Sequence, residues 1–422
     1  ALGLMLSAIA VSIYLFARSE PIVSDRDITG STTVPAIVVD NPSKNPIVSP
    51  LPERNEPLEH AAKSIVEPTA TPDDRIVYVG EPSLSGTAVW WLETDPARKF
   101  IDIGSAINDA PAGFVVRIFP YQRDESGRIA FRAYTGESNR DLLIEKPVKI
   151  IGMTKKKPSD PPVDITTIDC QSAGRAMTVS ADGVRIEGIK FMDGNATDGG
   201  AVLVTAPNVW FEKCEFANNT ANQGGAIYAN NNSNGLHISR CKLYNNKALV
   251  GDGRGGALFL DNNGTNTAIV SNCLFYDNQA SDSRAIYTDT NFASGLKIFF
   301  CTFYSRIDPT TYLITSTGAD VRNSIFFNYV NDTNYFLGTN TISYSRISGA
   351  HPRFLEVNTN NFHLDIDSTI CIDDGIVIKD AGVEIDESKY DIEGYIRPRK
   401  DKVKPSYYYN MGAYEYIIPD NN

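Results

Sequence analysis

Histidine is scarce in this chain, and the short phrases that usually carry enzyme chemistry are missing. Its 422 residues include four histidines, none in a His-Glu-x-x-His phrase, and six cysteines, none in a Cys-x-x-Cys pair. Metal centres need imidazoles and thiolates at close spacing. No resident metal is therefore expected. Gly-x-Ser-x-Gly and the phosphate loop are absent too, which removes the common acyl-transfer and nucleotide sites. Positive charge is also short. Lys and Arg number 39 against 51 Asp and Glu, a net charge of −12. Nucleic acid binders need basic faces, so no nucleic acid partner is expected, and polyanionic sugars would need a bridging cation.

Long apolar runs are missing except at the start. Residues 1–17 are uncharged and close to the lower length for a membrane span. They read as an uncleaved signal-anchor, in preference to a cleaved signal peptide or a prepilin-like assembly helix. Residues 18–76 are rich in proline and polar residues, with too little apolar surface to fold, and read as a disordered, extended stalk. That order places the rest of the chain at the cell envelope, extracellular or periplasmic.

What the chain has in plenty is repetition. Gly199-Gly200-Ala201-Val202, Gly224-Gly225-Ala226-Ile227 and Gly255-Gly256-Ala257-Leu258 recur in order, with a worn copy at Ser283-Arg284-Ala285-Ile286. A second phrase keeps the same beat: Cys214 to Asn219, Cys241 to Asn246, Cys273 to Asn278, then Cys301-Thr302-Phe303. Apolar residues alternate within each unit, the period of a strand. Clusters of Asn, Gly, Asp and Ser separate the strands and supply turns. Such a unit cannot bury its own apolar face, so units must stack with equivalent strands in parallel. The fold class that follows is all-β: a right-handed, single-stranded parallel β-helix, a pectate-lyase-like solenoid. Cys214, Cys241, Cys273 and Cys301 should form an inward ladder of free thiols, because neighbours in a parallel ladder point the same way and disfavour disulfide geometry.

The remaining segments fit this plan. Residues 77–165 read as an N-terminal cap and first rungs, with Ile103, Ala106, Ile107 and Ala110 at helical spacing for a short cap helix. Residues 166–350 should hold about seven rungs, and residues 351–422 should close the far end.

At the repeats the chain resembles the chlamydial polymorphic outer-membrane proteins, through Gly-Gly-Ala-aliphatic alternating with Phe-x-x-Asn (Phe216 to Asn219, Phe275 to Asn278). Its C-terminal part resembles the choice-of-anchor Q domain of bacterial secreted β-helices. The matching residues are Pro352, Phe354, Asn361-Phe362-His363-Leu364, Ile372-Asp373, Asp391, Arg397-Pro398 and Met411-Gly412-Ala413-Tyr414-Glu415-Tyr416. Both resemblances imply a surface or secreted protein, adhesin-like, with polysaccharide or a surface protein as partner. Neither supplies a catalytic residue.

Parallel β-helix enzymes carry carboxylates and basic residues along one groove. The best candidate groove here is Asp198, Asp252 with Arg254, and Asp282 with Arg284, which fall at similar places before the repeated glycines. Carboxylates about 5 to 10 Å apart could serve as acid and base, or hold Ca²⁺, and the arginines could hold a sugar acid. Solenoid turns also favour Asp for backbone reasons alone. The first reading is thus a non-enzymatic binding protein. A polysaccharide lyase or glycosidase is the alternative, and a structural subunit of a surface filament or envelope complex is the third.

Overall fold

The fold was analysed in a computed structural model. It describes residues 75–81, 95–153, 165–249, 251–261, 266–289, 295–306, 311–328, 335–343, 345–347, 354–356, 361–364, 379–380, 383–384, 391–393 and 412–413. The anchor reading of residues 1–17 and nearly all of the stalk lie outside them. The first strand, Ile76–Val79, already begins within the segment read as stalk.

Three parallel sheets run the length of the solenoid. Sheet 1 has 11 strands, from Lys99–Phe100 to Thr341–Ser343. Sheet 2 has eight, from Thr166–Asp169 to Arg346–Ile347, and sheet 3 has eight, from Leu142–Ile144 to Phe336–Leu337. A fourth, small sheet of three strands, Thr220–Ala221, Lys247–Ala248 and Gln279–Ala280, sits between sheets 2 and 3. Sheet 2 thus gives eight rungs after residue 165 where about seven were expected. The late rungs are shorter, and Ser324 and Ser345 replace cysteine in them.

The corners follow from backbone chemistry. One residue in the left-handed region turns the chain from sheet 1 into sheet 2: Lys213, Arg240, Asn272, Phe300 or Asn323. The next residue points inward. There Cys214, Cys241, Cys273 and Cys301 form the expected ladder, in which the Cys214 and Cys241 N–H groups each donate to the next rung's sulfur at 3.4 Å. Ser324 and Ser345 extend it, accepting from Cys301 and Ser324 N–H. The next corner uses Asn218, Asn245 and Asp277 in the left-handed region. Asn219, Asn246 and Asn278 follow it as a buried ladder, each side chain holding the rung before it. Inside, phenylalanines stack rung on rung, as Phe275 on Phe303 and Phe303 on Phe326, both at 4.7 Å.

All five cysteines among the described residues are buried and unbridged. Burial pushes the thiols of Cys214, Cys241 and Cys273 well above their ordinary range, and that of Cys170 up to about 12. A thiol is reactive only as thiolate. These positions should therefore resist alkylation at pH 8 in the native protein and label once denaturant unfolds it, as mass spectrometry of tryptic peptides would show. Rapid native labelling of Cys241 would refute the ladder.

The cap helix forms as expected. Helix α1 (Ile103–Asp109) is capped by Asp102, whose carboxylate accepts from Ser105 N–H at 2.8 Å, and it buries Ile103, Ala106 and Ile107. Ala110, at its end, is buried too, and all four join the main core.

Most of the C-terminal segment 351–422, read as closing the far end, lies outside the described residues. Four residues that are described, Phe354, Phe362, Ile392 and Ala413, pack on the outer face of sheet 2. They form one apolar cluster with Leu274, Tyr276, Tyr304 and Ile325. Gly412 N–H donates to Asn323 O, and Ala413 N–H to the Thr302 hydroxyl. The cause is on the sheet. One outward column reads Lys190, Glu215, Lys242, then Leu274, Thr302, Ile325, so its early rungs suit water and its late ones must be covered.

Candidate functional site

The residues before the repeated glycines form a column, though not the expected one. Asp198 pairs with Gln223, Gln223 with Arg254 and Arg254 with Asp282, each by a parallel bridge on adjacent rungs. Asp198, Arg254 and Asp282 are therefore brought together, and Gln223 joins them. Asp252 and Arg284 are not in the column. Asp252 lies two residues before it, its side chain 86% exposed, in a long ion pair of 3.7 Å with Arg254. Arg284 is buried and donates to the Ser305 hydroxyl. It occupies the repeat position of the second glycine, where the chain turns away from the column.

The stacking corrects the spacing as well. Asp198 and Asp282 are three rungs apart, so about 14 Å separates them at the usual strand spacing. That exceeds the reach of a carboxylate acid and base pair. Among the described residues no group of three or more His, Cys, Asp or Glu side chains is placed to hold a metal ion.

Beside this column, on the outer face of sheet 3, runs a second one that the glycine-first reading missed. Leu203, Tyr228, Phe259 and Tyr287 are successive partners. Tyr228 stacks on Phe259 at 5.0 Å and 4°, and Phe259 on Tyr287 at 5.2 Å and 9°. The signal was available, since each of the four stands four residues after the first residue of its repeat phrase. Alternation in strands marks such positions as outward and normally polar, so an aromatic there is informative. The rings stack on one another along the column. Phe259 and Tyr287 are buried; Leu203 and Tyr228 are partly exposed.

The two columns interact. The Arg254 guanidinium lies 5.2 Å from the Tyr287 ring centroid, a cation on an aromatic face. Tyr228 donates its hydroxyl to Asp261 at 3.0 Å, and Asp282 accepts from the Thr315 hydroxyl at 3.1 Å. Burial raises the Tyr228 phenol above its ordinary range, and Asp261, Asp198 and Asp289 push it further. Burial also raises the Asp198 carboxyl, against the pull of Arg175. The flank thus presents carboxylates, one amide and one guanidinium at rung spacing beside an aromatic strip.

A family model described as a right-handed beta helix region matches residues 163–293, in agreement with the three parallel sheets. No curated protein sequence matches the chain. Solved structures that resemble it include a pectin methylesterase mutant in complex with a hexasaccharide, at 13% identity and a TM-score of 0.37, covering 65% of this chain and 90% of that one. The Aspergillus niger pectin methylesterase in deglycosylated form is another, at 14% identity and a TM-score of 0.36, covering 67% and 93%. At these values the likeness carries no inference about chemistry.

Proposed function

We propose that this chain is a non-catalytic surface β-helix that binds glycan along the flank formed by the Asp198–Gln223–Arg254–Asp282 column and the neighbouring Tyr228. One observation carries the reading: four polar side chains repeat at a single register position beside an aromatic strip, while the two carboxylates among them stand too far apart to act on one bond. A rigid ladder of hydrogen-bonding groups at regular spacing suits a linear polymer whose hydroxyls also repeat. Its charge suits a neutral or cationic polymer better than a polyanion. The envelope location follows from residues 1–17 as tether and 18–76 as stalk, and from the resemblance to the polymorphic outer-membrane repeats and the choice-of-anchor Q domain.

The test is retention and cleavage of a polysaccharide panel by the purified protein, with and without Ca²⁺. Retention without cleavage is expected. Arg254→Ala and Gln223→Ala should each weaken it about tenfold, the equivalent of about 1.4 kcal/mol, with unchanged circular dichroism. Cleavage of any polymer would replace this reading with the lyase or glycosidase one. Retention indifferent to both substitutions would move the site elsewhere.

A further inference from the structure

An arginine stands where the glycine repeat begins. Gly174-Arg175-Ala176-Met177 is an earlier, variant copy of the phrase. Met177 pairs with Val202, and Ala176 N–H donates to Ala201 O, which puts Arg175 at the position of Gly200 on the rung before. The Arg175 side chain is half-buried, yet its Nη1 is fully enclosed and has no hydrogen-bond partner. Buried polar atoms are nearly always bonded, so an exception needs a reason.

Two carboxylates stand near this guanidinium without meeting that need. Asp141, on the preceding rung, accepts from Arg175 N–H at 3.1 Å, and its oxygens lie 2.3 and 2.7 Å from where a β-carbon of Gly174 would be. The main chain therefore holds that carboxylate, and a side chain at 174 would displace it. Asp198, on the following rung, acts through space. Burial pulls the Arg175 guanidinium below its ordinary range, and Asp141 and Asp198 oppose the shift. Asp141 also lines a cleft of about 410 Å³, a size within the range of about 300–1,000 Å³ usual for small-ligand sites. Arg140 lines it too. Its Nε is buried without a hydrogen-bond partner, and its ion pairs to Glu137 and Asp141 are long, at 3.7 Å each. Two guanidiniums with a spare donor thus flank one carboxylate beside the Asp198 column.

The chemistry of the missing partner follows. It must accept from guanidinium, which an ammonium cannot do, since an ammonium only donates. An anion would accept, but Asp102, Glu137, Asp141 and Asp198 outnumber the two arginines there and repel it. A hydroxyl accepts from arginine and donates to carboxylate at once. We propose that Arg140, Asp141, Arg175 and Asp198 form an end subsite of the glycan flank that takes a neutral, hydroxyl-bearing sugar unit, and that Arg175 sets the preference for neutral over amine-bearing sugars. This inference rests on the glycan reading above and narrows it.

Retention of hydroxyethyl cellulose, dextran and chitosan by the full chain tests it, with chitosan in mildly acidic buffer where its amines are charged. The wild type should retain a neutral polymer and not chitosan. Arg175→Gln should weaken the neutral retention about tenfold and gain retention of chitosan, because Asp141 and Asp198 then stand unopposed. Arg175→Lys should lose the first without gaining the second. Melting temperatures should not move, and an arginine with only a structural role would not exchange one polymer for another. Should Arg175→Gln fail to fold, Arg140→Gln carries the same expectation at the cleft. Wild-type preference for chitosan overturns this inference and leaves the glycan flank standing. So does retention that Arg254→Ala weakens and Arg175→Gln does not, or a neutral polymer lost with no gain for chitosan. Retention of none of the polymers overturns both readings.

Discussion

Gly225→Ala is expected to prevent stable folding of the central rungs, although it adds one methyl group. A β-carbon at this position would lie 2.1 Å from Gly256 O and 2.7 Å from both Lys247 N and Lys247 O. All three are backbone atoms of neighbouring rungs, so no side chain can swing aside. The position is tight because the small sheet packs directly on the glycine column. Strand Lys247–Ala248 lies against Gly225 as Thr220 lies against Gly200. Relief would require separating two rungs and their hydrogen bonds, at a cost above about 4 kcal/mol, the range reserved for disrupted cores and strained backbones. Gly251→Ala is the control. Its φ of 65° is left-handed, but no atom lies within 4 Å of its β-carbon position; it should lose only about 1 kcal/mol. Chemical denaturation of both variants decides the matter, and a Gly225→Ala protein with an unshifted midpoint would show the glycine column to be dispensable.

The fourth repeat copy departs from the other three at both glycines. Arg284 takes the second glycine position, its side chain buried and donating to the Ser305 hydroxyl. Ser283 replaces the first glycine and keeps the left-handed φ, at 57°. Among the described residues the last strand of the small sheet, Gln279–Ala280, lies against Gly256.

How far the sequence could be read depends on whether a residue's role is local to its rung. The repeat, the inward cysteine ladder, the cap helix and the parallel stacking all follow from periodicity and corner chemistry, which each unit carries in its own residues. The small sheet did not show itself, because two-residue strands have no measurable period. The C-terminal segment reads as a closing one through its resemblance, and its own residues do not say which face Phe354 and Phe362 cover. Their destination is written on sheet 2, where Leu274 takes the position held by Lys242 one rung before. At the candidate site, similar sequence positions do not make one column. Asp198, Gln223, Arg254 and Asp282 each stand one residue before their repeat phrase, whereas Asp252 lies two residues earlier and Arg284 inside the phrase, so this column too has a constant offset that admits Gln223 and leaves the other two out. The aromatic column was legible at its constant offset from the repeat start.

Asn246→Leu should be the most damaging change that leaves side-chain volume nearly unaltered. The Asn246 carbonyl oxygen accepts from both Asn219 N–H, at 3.1 Å, and the Asn219 amide, at 2.9 Å. Its own amide donates to Phe216 O and to Asn278, both at 3.0 Å. Leucine fills the space and satisfies none of these. It strands the Asn219 N–H and the Phe216 carbonyl in a dry interior, where each unmet group costs about 1–3 kcal/mol, and it divides the ladder so that Asn219 and Asn278 lose their shared partner. A loss of about 4 kcal/mol is expected, most of it desolvation rather than packing. The adjacent Asn245→Ala separates the two reasons for asparagine in this phrase. Asn245 is exposed with φ of 55°, and its substitution should cost only the left-handed penalty of about 1 kcal/mol. Thermal and urea unfolding of the pair would measure the difference directly. Equal costs at the two positions would mean that the buried amides contribute no more than the turn beside them, and that the rungs are held in register by the phenylalanine and cysteine stacks alone.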